Sequence, residues 1–248
     1  MNWPTSQWGT RLKLRTSAET YVQFGAYQLS PDYVDDEYAR SKGLSFDFPE
    51  TQGWLLPLEF GWTPQWRGLP GSYKAGVWYD TAGGDDLVDD LNRQSRALTG
   101  DAPRQHDSRY GAYVSFQQQL TGETANGGWV IFFNATQADT ATSAADRQVA
   151  LGGEYHGPFG RPHDFVGIAV GTTHANGRQA RYQRLYNEAH ADDRKLVHDG
   201  NEYVGEVFYS FSPVRSMQLR ANLQYLHNPG GTDLDDAFVA GLKTVISF

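Results

Sequence analysis

From Glu202 to Phe248 the chain is written in a two-residue period. Met217, Leu219, Ala221, Leu223 and Tyr225 take one parity, and Gln218, Arg220, Asn222 and Gln224 take the other. Such alternation puts successive side chains on opposite faces of a strand, one face apolar and the other polar. The last run sets Phe238, Ala240, Leu242, Thr244, Ile246 and Phe248 on one face and closes on an aromatic. A soluble sandwich shares the period, but that terminal aromatic without a polar tail points to a transmembrane barrel.

The same pattern predicts eleven strands, at about 7–16, 20–30, 53–63, 72–81, 108–119, 128–137, 146–156, 164–174, 202–212, 216–226 and 237–248. Each is close to the ~9–11 residues that cross a bilayer at a tilt. Connections sort into two sets. Those around Ser17-Ala18, Pro64 to Gly71, Leu120 to Gly127, Gly157 to His163 and Pro213 to Ser216 are compact. Those at Pro31 to Gln52, Ala82 to Asp107, Ala138 to Ala145, Ala175 to Asn201 and His227 to Asp236 are mostly long. Short turns at one rim and long loops at the other are how a porin-type barrel is built. The fold class expected is therefore all-β, an antiparallel transmembrane β-barrel. Eleven antiparallel strands cannot close edge to edge, because the first and last run the same way and bacterial single-chain barrels have even strand numbers. We expect residues 1–248 to be a single β-barrel domain that lacks its N-terminal strands and signal peptide; Met1-Asn-Trp-Pro offers neither a basic region nor an apolar core.

Parity also sorts the charged residues. Arg11, Lys13 and Arg15 share a face opposite Trp8, Thr10, Leu12 and Leu14, forming a ladder of cations. Glu59 opposes Leu56, Leu58, Phe60 and Trp62; Lys74, Trp78 and Asp80 oppose Tyr73, Ala75, Val77 and Tyr79; Arg220 falls on the polar side of its strand. Pro57 cannot donate to a ladder and predicts a bulge or a weak spot. Segment 128–137 is apolar at both parities around Val130 to Phe133, so its facing stays open. Arg178, Arg181 and Arg184, three residues apart, suggest a short helix in a long loop.

Composition changes the picture in three respects. No apolar run approaches the ~20 residues of a spanning helix, which excludes a helical membrane protein and leaves a barrel open despite a mean hydropathy of −0.58. A net charge of −8 argues against nucleic-acid binding. The chain has no cysteine, and its seven histidines show no metal-ligand spacing, so we expect no cofactor and no metal. The acidic groups Asp32, Asp35, Asp36, Glu37 and Asp85, Asp86, Asp89, Asp90 are read as solvated loops, as is Asp233-Leu234-Asp235-Asp236.

The cation ladder is the strongest candidate site. Guanidinium groups offer planar donor arrays for hydroxyls and carboxylates, and inward charges set the field of a pore. Trp78 or Tyr113 would supply an apolar ring face for a sugar. The candidate substrate-binding set is Arg11, Lys13, Arg15, Glu59, Lys74, Trp78 and Arg220. Glu59, Glu154 and Glu206 are expected to pair with lumen cations; their spacing selects no catalytic pair. The bland reading, polar residues that merely keep a wide barrel wet, stands beside this one.

Several stretches resemble a known family. They are Trp3-Pro-Thr-Ser-Gln-Trp-Gly, Gly25-Ala-Tyr-Gln, Leu55-Leu-Pro-Leu-Glu-Phe-Gly-Trp, Gly76-Val-Trp-Tyr-Asp, and most specifically Asn222-Leu-Gln-Tyr-Leu-His-Asn-Pro-Gly-Gly, with Ala237 to Phe248 as a closing strand. Together these resemble the OprB-type carbohydrate-selective porins over nearly the whole chain. The resemblance implies a barrel of about 16 strands, wide enough for an aqueous channel, in the outer membrane of a Gram-negative bacterium. It implies passive diffusion of glucose and related mono- and oligosaccharides, contact with outer-membrane lipid, and recognition by the barrel-assembly machinery through Phe248. Homotrimer and monomer both remain open. The alternatives are a non-conducting barrel fragment, an outer-membrane scaffold or a sugar-active β-fold enzyme.

Overall fold

A computed structural model describes residues 8–30, 50–123, 127–214 and 216–247. Phe248, the start of the Trp3 stretch and the Asp32 to Glu37 acidic loop lie outside the described residues. The elements are β1 (Gly9–Arg15), β2 (Thr20–Leu29), β3 (Gly53–Trp62), β4 (Gln65–Trp66), β5 (Leu69–Asp80), β6 (Gly84–Asp90), α1 (Arg96–Thr99), β7 (Pro103–His106), β8 (Arg109–Gln119), β9 (Gly128–Ala138), β10 (Ala145–His156), β11 (Phe165–Ala175), α2 (Gly177–Ala189), β12 (Asn201–Val214), β13 (Met217–His227) and β14 (Ala237–Ile246).

All eleven segments expected from the alternation form strands, with ends within about three residues. They make one antiparallel meander in the order β1-β2-β3-β5-β8-β9-β10-β11-β12-β13-β14; β4 adds a short hairpin to β5, and β6 pairs β7 apart from the main sheet. Pro57 weakens the ladder without a bulge: β2–β3 pairing skips from Phe24↔Leu58 to Tyr27↔Leu55 and resumes in the same register.

Because paired residues in a sheet share a face, the register fixes the sidedness of every strand. Leu12, Phe24, Leu58, Val77, Val114, Phe133, Leu151, Ile168, Val207, Leu223 and Leu242 stand on one face. This settles segment 128–137: Trp129, Ile131 and Phe133 join the apolar face, and Phe132 and Asn134 the polar one. Nothing among the described residues covers the apolar face; Leu58 is 47 % exposed, Leu223 59 % and Leu242 75 %. In a sandwich these positions would be the core. Here they form a band, with rings towards both rims. Trp62, Tyr73, Phe116 and Phe133 run in sequence at the short-turn rim with centroids 5.3, 5.6 and 5.9 Å apart. Trp54, Tyr79, Tyr110, Tyr203 and Tyr225 stand nearer the long-loop rim. An exposed apolar band between aromatic girdles is the surface a barrel shows to lipid. Among the described residues no helix is long and apolar enough to cross a membrane.

The buried apolar side chains lie mainly at the long-loop rim: Leu87 and Val88 of β6, Ala97 of α1, Ala175 at the end of β11 and Ala180 of α2. The loops therefore have a small core of their own, and α2 packs on α1 and β6. Asn176 starts α2 by accepting from the Arg178 N–H at 2.9 Å, and its amide donates to the carbonyls of Thr140 and Ser143, both at 2.8 Å.

Candidate functional site

The polar face begins with the cation ladder. Arg11, Lys13 and Arg15 on β1 stand beside Gly25, Gln23 and Tyr21 on β2. Lys13 Nζ lies 3.5 Å from the Tyr21 ring centroid, a cation–π contact. Arg11 and Arg15 are exposed and have no ion-pair partner among the described residues.

Next to the ladder, Glu59 on β3 is clamped between two phenols. Tyr21 donates to its Oε1 at 2.8 Å and Tyr113 to its Oε2 at 2.6 Å. Each ring crosses a neighbouring strand over a glycine. A Cβ on Gly61 would lie 2.1 Å from Tyr21 Cζ, and one on Gly76 2.5 Å from Tyr113 Cζ, so only glycine admits the rings. Hydrogen bonds to an ionised carboxylate contribute ~1.5–3 kcal/mol each, and the pair fixes both the charge and the rings.

For Glu59 and Glu206 this corrects the expectation that the polar-face carboxylates pair with lumen cations: both are satisfied by neutral side chains. Glu206 accepts from the amides of Asn222 at 3.3 Å and Gln224 at 2.9 Å, and Glu154 meets His156 at 3.3 Å. Neighbouring strands lie only ~4.8 Å apart, so a phenol or amide one or two strands away reaches a carboxylate and satisfies it locally.

Of the seven candidate residues, six lie close together: Arg11, Lys13 and Arg15 on β1, Glu59 on β3, and Lys74 and Trp78 on β5. Lys74 pairs with Gly61 and Ser115, one row from the Glu59 clamp. The Trp78 indole lies over Gly111, where a Cβ would come within 2.6 Å of the ring, and stays half-exposed on the polar face. Arg220 is not with them. It is on β13, where its guanidinium stacks on Phe208 at 4.2 Å and Phe165 at 5.0 Å.

Over the polar face at the long-loop rim sits a cap that the sequence only partly foreshadowed. The arginine-rich segment is a helix, α2. Arg178 donates to Asp86 Oδ1 at 2.6 Å and lies 3.5 Å from Asp89, while His106 Nε2 is 2.8 Å from Asp86 Oδ2. Arg184 pairs with Asp199. Burial pushes the Asp86 carboxyl up, but the N–H groups of Asp89 and Val88 with His106 and Arg178 outweigh it and hold the carboxyl well below the usual carboxylate range. Asp86 is thus a structural anion rather than part of a solvated acidic run. Asp80 Oδ2 accepts from Arg109 Nε at 2.9 Å, tying β5 to β8 where the long loop leaves the sheet.

An uncovered apolar band, a charged polar face and loops gathered at one rim define a transmembrane β-barrel protein of porin type. The comparisons with known proteins narrow the class. A family model described as carbohydrate-selective porin, OprB family, matches residues 1–248, and the chain belongs to that family. It is 37 % identical to Porin B of Pseudomonas aeruginosa, covering 98 % of this chain and 55 % of that protein. It is 32 % identical to the putative porin QuiX of Acinetobacter baylyi, covering 100 % of this chain and 56 % of the relative. Among solved structures it superposes on the high-pH structure of Pseudomonas putida OprB with a TM-score of 0.93 at 36 % identity, covering 100 % of this chain and 60 % of that one. The low-pH structure of the same protein gives a TM-score of 0.61. The chain spans a little over half the length of these relatives. Its family is one of transport channels rather than of enzymes.

Proposed function

We propose that the chain forms the wall of a passive pore in the bacterial outer membrane through which glucose and related sugars diffuse. The observation that carries this reading is the sidedness of the sheet: among the described residues, an uncovered apolar band on one face, and on the other a ladder of cations without ion-pair partners beside a half-exposed indole. Sugar hydroxyls accept from Arg11, Lys13, Arg15 and Lys74, Glu59 supplies the counter-charge that keeps the zone from being purely anion-selective, and the apolar ring face passes over Trp78. No bond is made or broken; selectivity is a local preference for polyhydroxylated solutes.

Closure calls for further strands. β1 and β14 run in the same direction and end the strand order, and an antiparallel barrel needs an even number. We take the residues here to be one barrel domain completed by strands beyond them. The C-terminal strand β14 is the segment that the assembly machinery would engage.

Planar-bilayer recordings and liposome swelling test the reading. Glucose should enter liposomes faster than through protein-free membranes and should reduce the ion current, and Arg11→Ala with Arg15→Ala should weaken that reduction about tenfold, the effect of ~1.4 kcal/mol of lost contact. Swelling no faster than the protein-free control would refute the pore. Unchanged block in the double variant would remove the ladder from the sugar path.

A further inference from the structure

The Asn-Pro-Gly-Gly turn, the most specific stretch of the sequence, has no part in the lumen wall described so far. It lies at the long-loop rim, where together with α2 and the ends of β11 and β12 it lines a half-open cavity of about 320 Å³. The turn is built for close approach. Asn228, Gly230 and Gly231 take positive φ of 50°, 67° and 69°, and a Cβ on Gly231 would lie 2.7 Å from the Gly200 carbonyl oxygen. In this shape Gly230 presents its N–H to Glu202 Oε2 at 2.8 Å and its carbonyl to His198 Nδ1 at 2.7 Å. A carbonyl only accepts, so His198 Nδ1 carries a proton, and the Nε2 edge of the ring is left without a part in this turn.

The opposite wall is α2. Gln179 and Gln183, four residues apart, share one helix face. Gln183 is only 5 % exposed, and its Oε1 accepts from the His198 N–H at 2.8 Å, which leaves the NH₂ end for the cavity. Thr173 and Glu202, paired across β11 and β12, bring a hydroxyl and a second carboxylate oxygen from the polar face of the sheet. Ala144, Ala145 and Ala175 supply an apolar surface. Donors at the two glutamines, an acceptor at Glu202, the imidazole edge of His198 and a patch of methyl groups form the complement of one sugar ring. The volume lies near the lower end of the ~300–1,000 Å³ usual for ligand pockets, which suits a single ring better than a chain. Among the described lining residues Glu202 is the one acidic or basic side chain apart from His198, so a carboxylate or phosphate on the sugar would meet like charge.

We propose that this cavity is a loop-side subsite that holds one neutral hexose-type ring before it reaches the ladder, and that it turns anionic sugars away. The proposal rests on the reading of the chain as part of a sugar pore and adds to it where a solute first docks and what charge it carries.

Ligand-detected saturation-transfer NMR on the detergent-solubilised protein tests it, with D-glucose and D-glucuronate as probes. Glucose should bind the wild type and still bind the Arg11→Ala, Arg15→Ala variant. In that ladder-variant background Ala144→Trp, which fills the cavity from a loop position, should weaken the remaining glucose binding about tenfold. The isosteric Glu202→Gln, which keeps the fold even where the tryptophan does not, should narrow the preference for glucose over glucuronate by about the same factor. Glucose binding that is absent in the wild type, unchanged by both cavity variants or abolished by the ladder variant overturns the subsite. Glucose-driven liposome swelling separates the two ideas: with swelling intact, those results remove only the subsite, whereas a wild type without swelling removes the pore itself.

Discussion

The Glu59 clamp depends on a hydrogen at two positions, which makes Gly76→Ala a sharp test of it. A methyl group there would lie 2.5 Å from Tyr113 Cζ and 2.7 Å from its hydroxyl oxygen. Carbon atoms in contact sit ~3.5–4.0 Å apart, so the ring must withdraw by about 1 Å. The 2.6 Å bond to Glu59 Oε2 then stretches past ~3.5 Å and is lost. That removes ~1.5–3 kcal/mol, and displacing a packed ring adds ~1–3 kcal/mol. Against this stands ~0.5–1 kcal/mol gained when a strand glycine becomes alanine. The net expected loss is roughly 2–5 kcal/mol. Urea unfolding of the protein refolded into lipid vesicles, followed by tryptophan fluorescence, measures it. Gly205→Ala is the control, since a Cβ there meets nothing within 4 Å, and it should be neutral or slightly stabilising. In a Tyr113→Ala background the penalty at Gly76 should nearly vanish. A Gly76→Ala protein as stable as wild type, or a penalty that persists without the Tyr113 ring, would refute the clamp.

Other perturbations read different parts of the molecule. Arg178→Ala should free α2 from Asp86, and amide exchange across Gly177–Ala189 should rise ~10- to 100-fold, the effect of losing one charge-assisted bond of ~1.5–3 kcal/mol. At the short-turn rim, burial pushes Asp164 up, but Arg161, Tyr209 and the Ser212 N–H hold it lower, at about 2. A depressed carboxyl stabilises the fold fully above its unfolded value of ~3.9, and the contribution is lost as pH falls through about 2. Wild type should therefore melt higher than Asp164→Asn near neutral pH and lose that margin below pH ~2. Arg220→Ala should change glucose block of the ion current far less than Arg11→Ala, because its guanidinium is held on Phe208 and Phe165.

How much of this was legible in the sequence follows from what each feature depends on. The period-two alternation in 217–225 or 72–80 needs only the pleat of one strand, so strand number, sidedness and the two rims could be read directly. At 128–137 both parities are apolar. There the answer comes from neighbours, since pairing with β8 and β10 puts Phe133 beside Phe116 and Leu151 on the outer face. Side-chain partners depend on register across several strands, and β2 joins β3, and β5 joins β8, through loops whose lengths do not fix it. Charge matching alone therefore assigned Glu59 to a cation. The better signal was steric: Tyr21 stands opposite Gly61, and Tyr113 opposite Gly76, so two rings bracket one carboxylate. The cap was the least legible part. Asp86 and Arg178 are 92 residues apart, and an acidic run with an arginine-rich helix reads as two solvated loops until the fold brings them to one rim. Stripping those loops to the length of the short turns would leave the eleven-strand sheet its pattern and its lipid face, while removing the α2 and Asn-Pro-Gly-Gly walls of the cavity at Glu202; the barrel wall and the proposed loop-side subsite are thus encoded largely in separate parts of the chain.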